Sequence, residues 1–174
     1  PDFTCLPGAG PHVLEHVIAI AREIVQNKMK IKPNCAARTL KADIEPIIEA
    51  SQKAGISIQA CTFIGSSPIR QYAEGWTIDQ LLKFTEEAVT FAVRNGLDVM
   101  FVTEDTTRAN PEDVRKLYLT AIRSGARRVC LSDTVGHATH EGIHRLISFI
   151  KEVITESGVT GLRDARHPPG SGRP

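Results

Sequence analysis

Two apolar runs in this chain end on polar side chains, and those ends are where chemistry is first expected. Residues 99–102 (VMFV) lead through Thr103 to the adjacent carboxylates Glu104 and Asp105. Residues 129–131 (VCL) lead through Ser132 to Asp133 and Thr134. A carboxylate at the inner end of a strand can serve as a general acid or base, or can position a ligand. Neighbouring strand residues point to opposite faces, so only one of Glu104 and Asp105 is expected to face inward. The plainer alternative is that one caps the following turn while the other meets Arg108. Thr134, ahead of Gly136, offers a hydroxyl for a substrate carboxylate, or simply completes an Asx turn with Asp133.

Other reactive residues carry weaker signals. His12 and His16, and again His140 and His144, have the four-residue spacing of a helical metal pair. Neither pair has a Cys or carboxylate in motif, and solvated helix faces explain both better. The four cysteines (Cys5, Cys35, Cys61, Cys130) show no CxxC spacing. Three lie in apolar, strand-like runs, where free Cys behaves as a small buried hydrophobe. That favours a reducing compartment over a disulfide framework. No Walker loop, GxGxxG or nucleophile elbow is present, and Tyr72 and Trp76 are expected to pack on their own loop.

The elements that must position these residues are legible from periodicity. Residues 1–10 read as a loop broken by Pro7, Gly8 and Gly10, and residues 11–27 as an amphipathic helix. A short strand over 30–37, a helix over 40–54 and a strand over 56–64 follow. Residues 65–76 read as a loop. Thr77 with Gln80 is a capping-box signature for a helix reaching Asn95. Asn110 before Pro111, with Glu112 and Asp113 behind, starts the next helix. A last helix spans 141–157. The expected strand ends (Cys35, Ile64, Glu104, Asp133) are 29, 40 and 29 residues apart, a βα repeat.

The strands are apolar throughout, as when a parallel sheet is covered on both faces. Regular βα units suit a (β/α)₈ barrel better than a switch-point sheet. The expected fold is therefore α/β, a partial TIM barrel of about four βα units plus a preceding helix. A complete barrel has eight units in about 250 residues. Residues 1–158 form the expected barrel domain. Residues 159–174, with three prolines and no β-branched residue after Thr160, are expected to be disordered and non-native, as an out-of-frame reading of a GC-rich gene would be.

Composition narrows the class further. A chain of 174 residues is one domain by length, and 41% hydrophobic with 24% charged residues is ordinary for a globular protein. A net charge of +1 gives no reason to expect nucleic acid. No apolar run approaches the roughly 20 residues of a membrane span, and no secretory signal opens the chain. A soluble cytoplasmic protein is expected. No Met opens the chain, so the true start is expected upstream.

With these residues in view, a family resemblance emerges. FVTEDTTRANPEDVRKLYLTAIRSGARRVCLSDTVGHAT resembles the fifth and sixth βα units of the acetyl-CoA-dependent α-keto acid condensing enzymes. These are the 2-isopropylmalate, homocitrate and citramalate synthases, in the superfamily that includes HMG-CoA lyase. Glu104, Asp105 and Arg108 match its Glu-Asp-x-x-Arg pattern, and residues 133–136 its Asp-Thr-Val-Gly. TFIGSSPIRQY (62–72) resembles the fourth strand and its loop, and NCAAR (34–38) the third strand.

The resemblance implies a TIM barrel binding a divalent metal (Mg, Mn or Zn) that chelates the keto acid and acts as a Lewis acid. Acetyl-CoA and a small α-keto acid are the implied substrates, and a homodimer the implied assembly of the intact parent. Carried over by position, Glu104 is the inward catalytic carboxylate and Thr134 hydrogen-bonds the substrate carboxylate. Ser66 lies at the rim of the fourth strand, and Arg38 is a further substrate-binding position.

Departures from the family pattern also matter. The first-strand Arg-Asp pair and the seventh-strand His-x-His, which supply metal ligands in the family, are missing, and a lone His167 does not rebuild them. Much of the second strand is also missing, and Cys61 stands where many synthases have histidine. The expectation is a fragment, inactive as this chain, with the metal ligands absent, prone to self-association through open edges and apolar faces. The rival readings are a retro-aldol lyase of the HMG-CoA lyase type, and a non-catalytic half-barrel acting as an interaction module.

Overall fold

The computed structural model describes residues 3–160. Its strands are β1 (Phe3–Cys5), β2 (Pro33–Arg38), β3 (Gln59–Gly65), β4 (Val99–Glu104) and β5 (Arg128–Leu131). Its helices are α1 (Pro11–Gln26), α2 (Lys41–Ala54), α3 (Pro68–Glu74), α4 (Ile78–Arg94), α5 (Pro111–Arg123) and α6 (His140–Glu156). Every strand pairs in parallel with its sequence neighbours, in the order β1-β2-β3-β4-β5. A switch-point sheet would reverse that order at its middle, whereas consecutive winding is what a barrel does. The fold is a partial (β/α)₈ barrel.

Local chemistry sets the helix boundaries. Thr77 accepts from the Gln80 backbone while the Gln80 side chain accepts from the Thr77 N–H, the reciprocal box expected there. Asn110 caps α5 through the Glu112 N–H, and Thr139 caps α6 through Gly142. Helices α1, α2, α4, α5 and α6 each lay one apolar stripe into the core, whereas α3 buries none of its residues. Val17, Ala21, Ile44, Ile47, Leu81, Val89, Leu117 and Ile150 are among those that pack against Cys35, Ala60, Val99 and Phe101 in one core.

Register separates the two faces of the sheet. Val99, Phe101 and Thr103 are buried under the helices, while Met100, Val102 and Glu104 alternate with them and are only half-buried. Across the strands, Ala36, Cys61, Met100 and Arg128 form one row on that second face. Arg38, Phe63, Val102 and Cys130 form the next, and Gly65 stands beside Glu104 above them. This face is apolar at its centre, with Arg128 and Arg38 at its ends and Glu104 at its top, and carries no helix among the described residues, so it corresponds to the barrel interior.

Several sequence expectations are corrected. Residues 3–5 are not loop but a strand, paired with β2 in the register Phe3 to Pro33 and Cys5 to Cys35. Three residues are too few to show a period, and the pairing depends on a partner thirty residues away. Residues 65–76 contain α3, with Ser67 as its cap and Pro68 in its first turn. That is the same cap-then-proline signal as Asn110-Pro111. The second and third strands begin at Pro33 and Gln59, three residues later than their apolar runs suggest. The proposed disorder of residues 159–174 falls, from 161 onward, outside the described residues.

Candidate active site

Arg38, Ser66, Glu104, Asp105, Asp133 and Thr134 lie at or just past the C-terminal ends of β2 to β5, the side where α/β barrels place their sites. Glu104 ends β4 on the interior face, with its side chain 32% exposed. Asp105 does not continue the strand. Its φ of 61° is left-handed, so the chain turns and the opposite-face rule no longer applies. The turn carries the Asp105 carboxylate into a buried position, 2% exposed, where Arg108 grips it with three hydrogen bonds of 2.6–3.0 Å. The Arg108 guanidinium, with help from Ser67, holds the Asp105 carboxyl below the usual carboxylate range despite its burial. Asp105 is therefore committed to structure, and Glu104 is the carboxylate left facing the interior.

Thr134 and Ser66 are tied to this same turn. The Thr134 hydroxyl accepts from the Asp105 N–H at 2.8 Å, which leaves its own proton to donate. Ser66 is buried, and both its hydroxyl (3.0 Å) and its backbone N–H (3.1 Å) donate to the Glu104 carbonyl. It braces the strand end. Arg38 is exposed and forked onto Asp43, with Nε at 2.7 Å and Nη2 at 2.9 Å. Asp133 accepts from the Thr107 hydroxyl (2.9 Å) and from the Ala138 and His137 N–H groups (3.0 and 3.3 Å). Those bonds, the Ala138 N–H foremost, hold its pKa down.

A further residue, Arg70, joins the site; it lies within the 62–72 stretch but is not among the residues singled out there. From the first turn of α3 its side chain lies across Gly65, where an added Cβ would sit 2.9 Å from both Arg70 Cβ and Nε. Its Nη1 reaches Glu74 at 3.2 Å, and its Nε stands 3.9 Å from Glu104 Oε1. That Nε is buried and makes no hydrogen bond. Only a register-based reading could have found it, because the glycine and the arginine meet through the β3–α3 turn.

Cys61 and Cys130 are poor candidates for nucleophiles. Burial pushes the Cys61 thiol up to about 12, and Cys130 is raised for the same reason. His140 and His144 stack edge to face at 4.7 Å on an exposed surface. Tyr72 is 90% exposed rather than packed on its loop, whereas Trp76 packs edge-on against Phe84. The donor set does not fit a divalent metal. Among the described residues no three of His, Cys, Asp and Glu converge, and the mouth carboxylates face Arg70, Arg108 or backbone N–H donors. No described helix is long and apolar enough to cross a membrane.

A parallel, consecutively wound βα array with carboxylates at its C-terminal mouth defines part of a TIM barrel. Within that class the chain belongs to the HMGL-like family, whose model matches residues 4–162. It is 31% identical to the homocitrate synthase AksA of Methanocaldococcus jannaschii over 151 residues, covering 86% of this chain and 36% of that protein. It is 34% identical over 156 residues to the 2-isopropylmalate synthase of Pyrococcus furiosus, covering 88% and 30%. Against the 2-isopropylmalate synthase of Aquifex aeolicus the identity is 39% over 115 residues, covering 66% and 22%. The chain thus spans about a third or less of the length of these relatives.

Proposed function

We propose that this chain carries the keto-acid side of an acyltransferase site, for condensation of acetyl-CoA with an α-keto acid. The observation that carries the reading is Glu104, among the described residues the mouth carboxylate left on the interior face, with the orphaned Arg70 Nε beside it. The relatives, synthases by name, support condensation over retro-aldol cleavage. In that reaction the acetyl methyl loses a proton and the resulting carbanion attacks the keto carbon. The keto oxygen takes up a proton, and water then cleaves the thioester, releasing CoA and a 2-hydroxy acid with one more carboxyl group than the keto acid.

The residues of this chain contribute binding and charge. The Thr134 proton is donated to a substrate carboxylate oxygen. Glu104, one-third exposed, is positioned to accept a hydrogen bond or a proton from the reacting molecules. A buried guanidinium N–H without an acceptor is costly, and a ligand carboxylate relieves that cost. Arg70 therefore favours a keto acid bearing a second carboxylate. In the family a divalent metal supplies Lewis-acid chemistry. The described residues do not form its ligand set, so this chain alone is expected to be inactive.

Two measurements test this. With acetyl-CoA, keto acid and Mg, Mn or Zn, the purified chain should release no CoA; metal-dependent release would refute the incomplete site. By nuclear magnetic resonance, 2-oxoglutarate should perturb Glu104 and Thr134 at about fivefold lower concentration than pyruvate, as one charge-assisted hydrogen bond permits. Arg70→Gln should erase that preference. Equal binding of both acids by the unaltered chain would remove Arg70 from the site.

A further inference from the structure

Behind the mouth, on the helix side of the sheet, lies a buried chain of hydroxyls that the proposed chemistry does not use. Tyr118 of α5 is fully buried, edge-on to Phe101 at 6.1 Å. Its hydroxyl lies 2.7 Å from Thr103 Oγ1 and donates to the Cys130 carbonyl at 2.9 Å. Thr103 Oγ1 lies 2.7 Å from Thr106 Oγ1, which itself donates to the Thr103 carbonyl at 2.6 Å. Thr106 Oγ1 also accepts from the Ser132 N–H at 2.9 Å, and the Thr106 N–H donates to the Ser132 carbonyl at 3.0 Å.

These bonds bracket the two residues that matter at the mouth. Thr103 and Thr106 flank Glu104 and the left-handed Asp105, while Cys130 and Ser132 lead into Thr134. The three hydroxyls bring three protons to four short contacts. Once Tyr118 and Thr106 donate to carbonyls, the Thr103 proton serves one neighbour or the other. The chain is continuous from α5 to both strand ends, and it has no spare donor.

We propose that Tyr118 is a positioning residue, fixing the ends of β4 and β5 relative to one another so that Glu104 and the Thr134 hydroxyl face the same ligand. This rests on the acyl-transfer reading of those two residues. Tyr118 touches no ligand itself. It acts through Thr103 and Thr106, holding a turn whose left-handed residue would otherwise relax.

The test is amide hydrogen exchange on the whole chain, comparing Tyr118→Phe with Phe101→Leu, a packing loss without a lost hydroxyl. Tyr118→Phe should speed exchange of the Asp105 and Ser132 amides about tenfold more than that of the β2–β3 ladder, the factor expected for one buried hydrogen bond. It should also shift the Glu104 carboxyl carbon resonance. Phe101→Leu should speed all these amides by a common factor and leave that resonance in place. Thr103→Val, which removes the central hydroxyl, should repeat the local pattern and decides the matter if Tyr118→Phe does not fold. Uniform loosening in Tyr118→Phe, or an unmoved Asp105 amide, overturns the proposal. Neither readout involves turnover, so a negative result leaves the acyl-transfer reading intact, and failure of that reading leaves the strand-end clasp intact.

Discussion

The two faces of the sheet are built from similar residues and do different jobs. On the helix side, Val99, Phe101 and Thr103 are wholly buried, and the Thr103, Thr106 and Tyr118 hydroxyls are all bonded. On the interior side, Met100, Val102 and Glu104 come from the same strand, one residue out of step, and are half-covered. Composition therefore does not distinguish stability from function in this strand. Parity does: the odd residues hold β4 in place and the even ones are presented.

The comparison can be broken most forcefully at Phe101. Phe101→Ala should cost about 3–5 kcal/mol in denaturant unfolding, as for a large ring lost from a packed core. If the cost were under about 1 kcal/mol, the helix-side face would not be the core. Next comes Asp105→Asn, which removes the charge from a buried, forked pair and should cost about 2 kcal/mol. Its pH dependence has a definite sign. The folded carboxyl titrates lower than the unfolded one, so its contribution is complete above the ordinary value near pH 4 and fades as pH falls through the lower folded value. Unfolding curves taken down the acid limb should be steeper for the unaltered protein than for Asp105→Asn.

Gly65→Ala sharpens the contrast, because it is an interior-face position without slack. Its methyl would meet Arg70, and a cost of about 1 kcal/mol is expected, with Arg70 displaced from Glu104. The smallest effect belongs to Val102→Ala, under about 1 kcal/mol, since a half-covered side chain loses little burial. The interior face should instead govern association. Sedimentation of the unaltered chain is expected to show concentration-dependent self-association, weakened by Val102→Glu. A monomer at all concentrations would contradict that expectation.

What could be read in the sequence were the features encoded within a few residues. The Thr77–Gln80 box, the Asn110-Pro111 start and the apolar helix stripes are local, and the structure has them where periodicity placed them. Glu104 was legible as a candidate because an apolar run ends on it. What escaped depends on partners far away in the chain. β1 exists only against β2, and the brace from Ser66 to Glu104 spans 38 residues. The hydrogen bond from Asp105 to Thr134 spans 29. Only Glu104 of the adjacent carboxylates faces the interior, as alternation leads one to expect, but the left-handed turn that buries Asp105 beyond the strand end has no local signal. Arg70 was missed because its significance lies in a glycine five residues earlier and a carboxylate on another strand.

Consecutive winding also has a bearing on synthesis. Each strand's partner is the strand made just before it, so every ladder from β2 onward can close as its second strand leaves the ribosome, without awaiting distant segments. Loop-closure entropy is then met in instalments of roughly twenty-five to forty residues, the spacing of the paired strands. A growing chain of this kind always carries one unpaired leading edge, which moves forward one βα unit at a time.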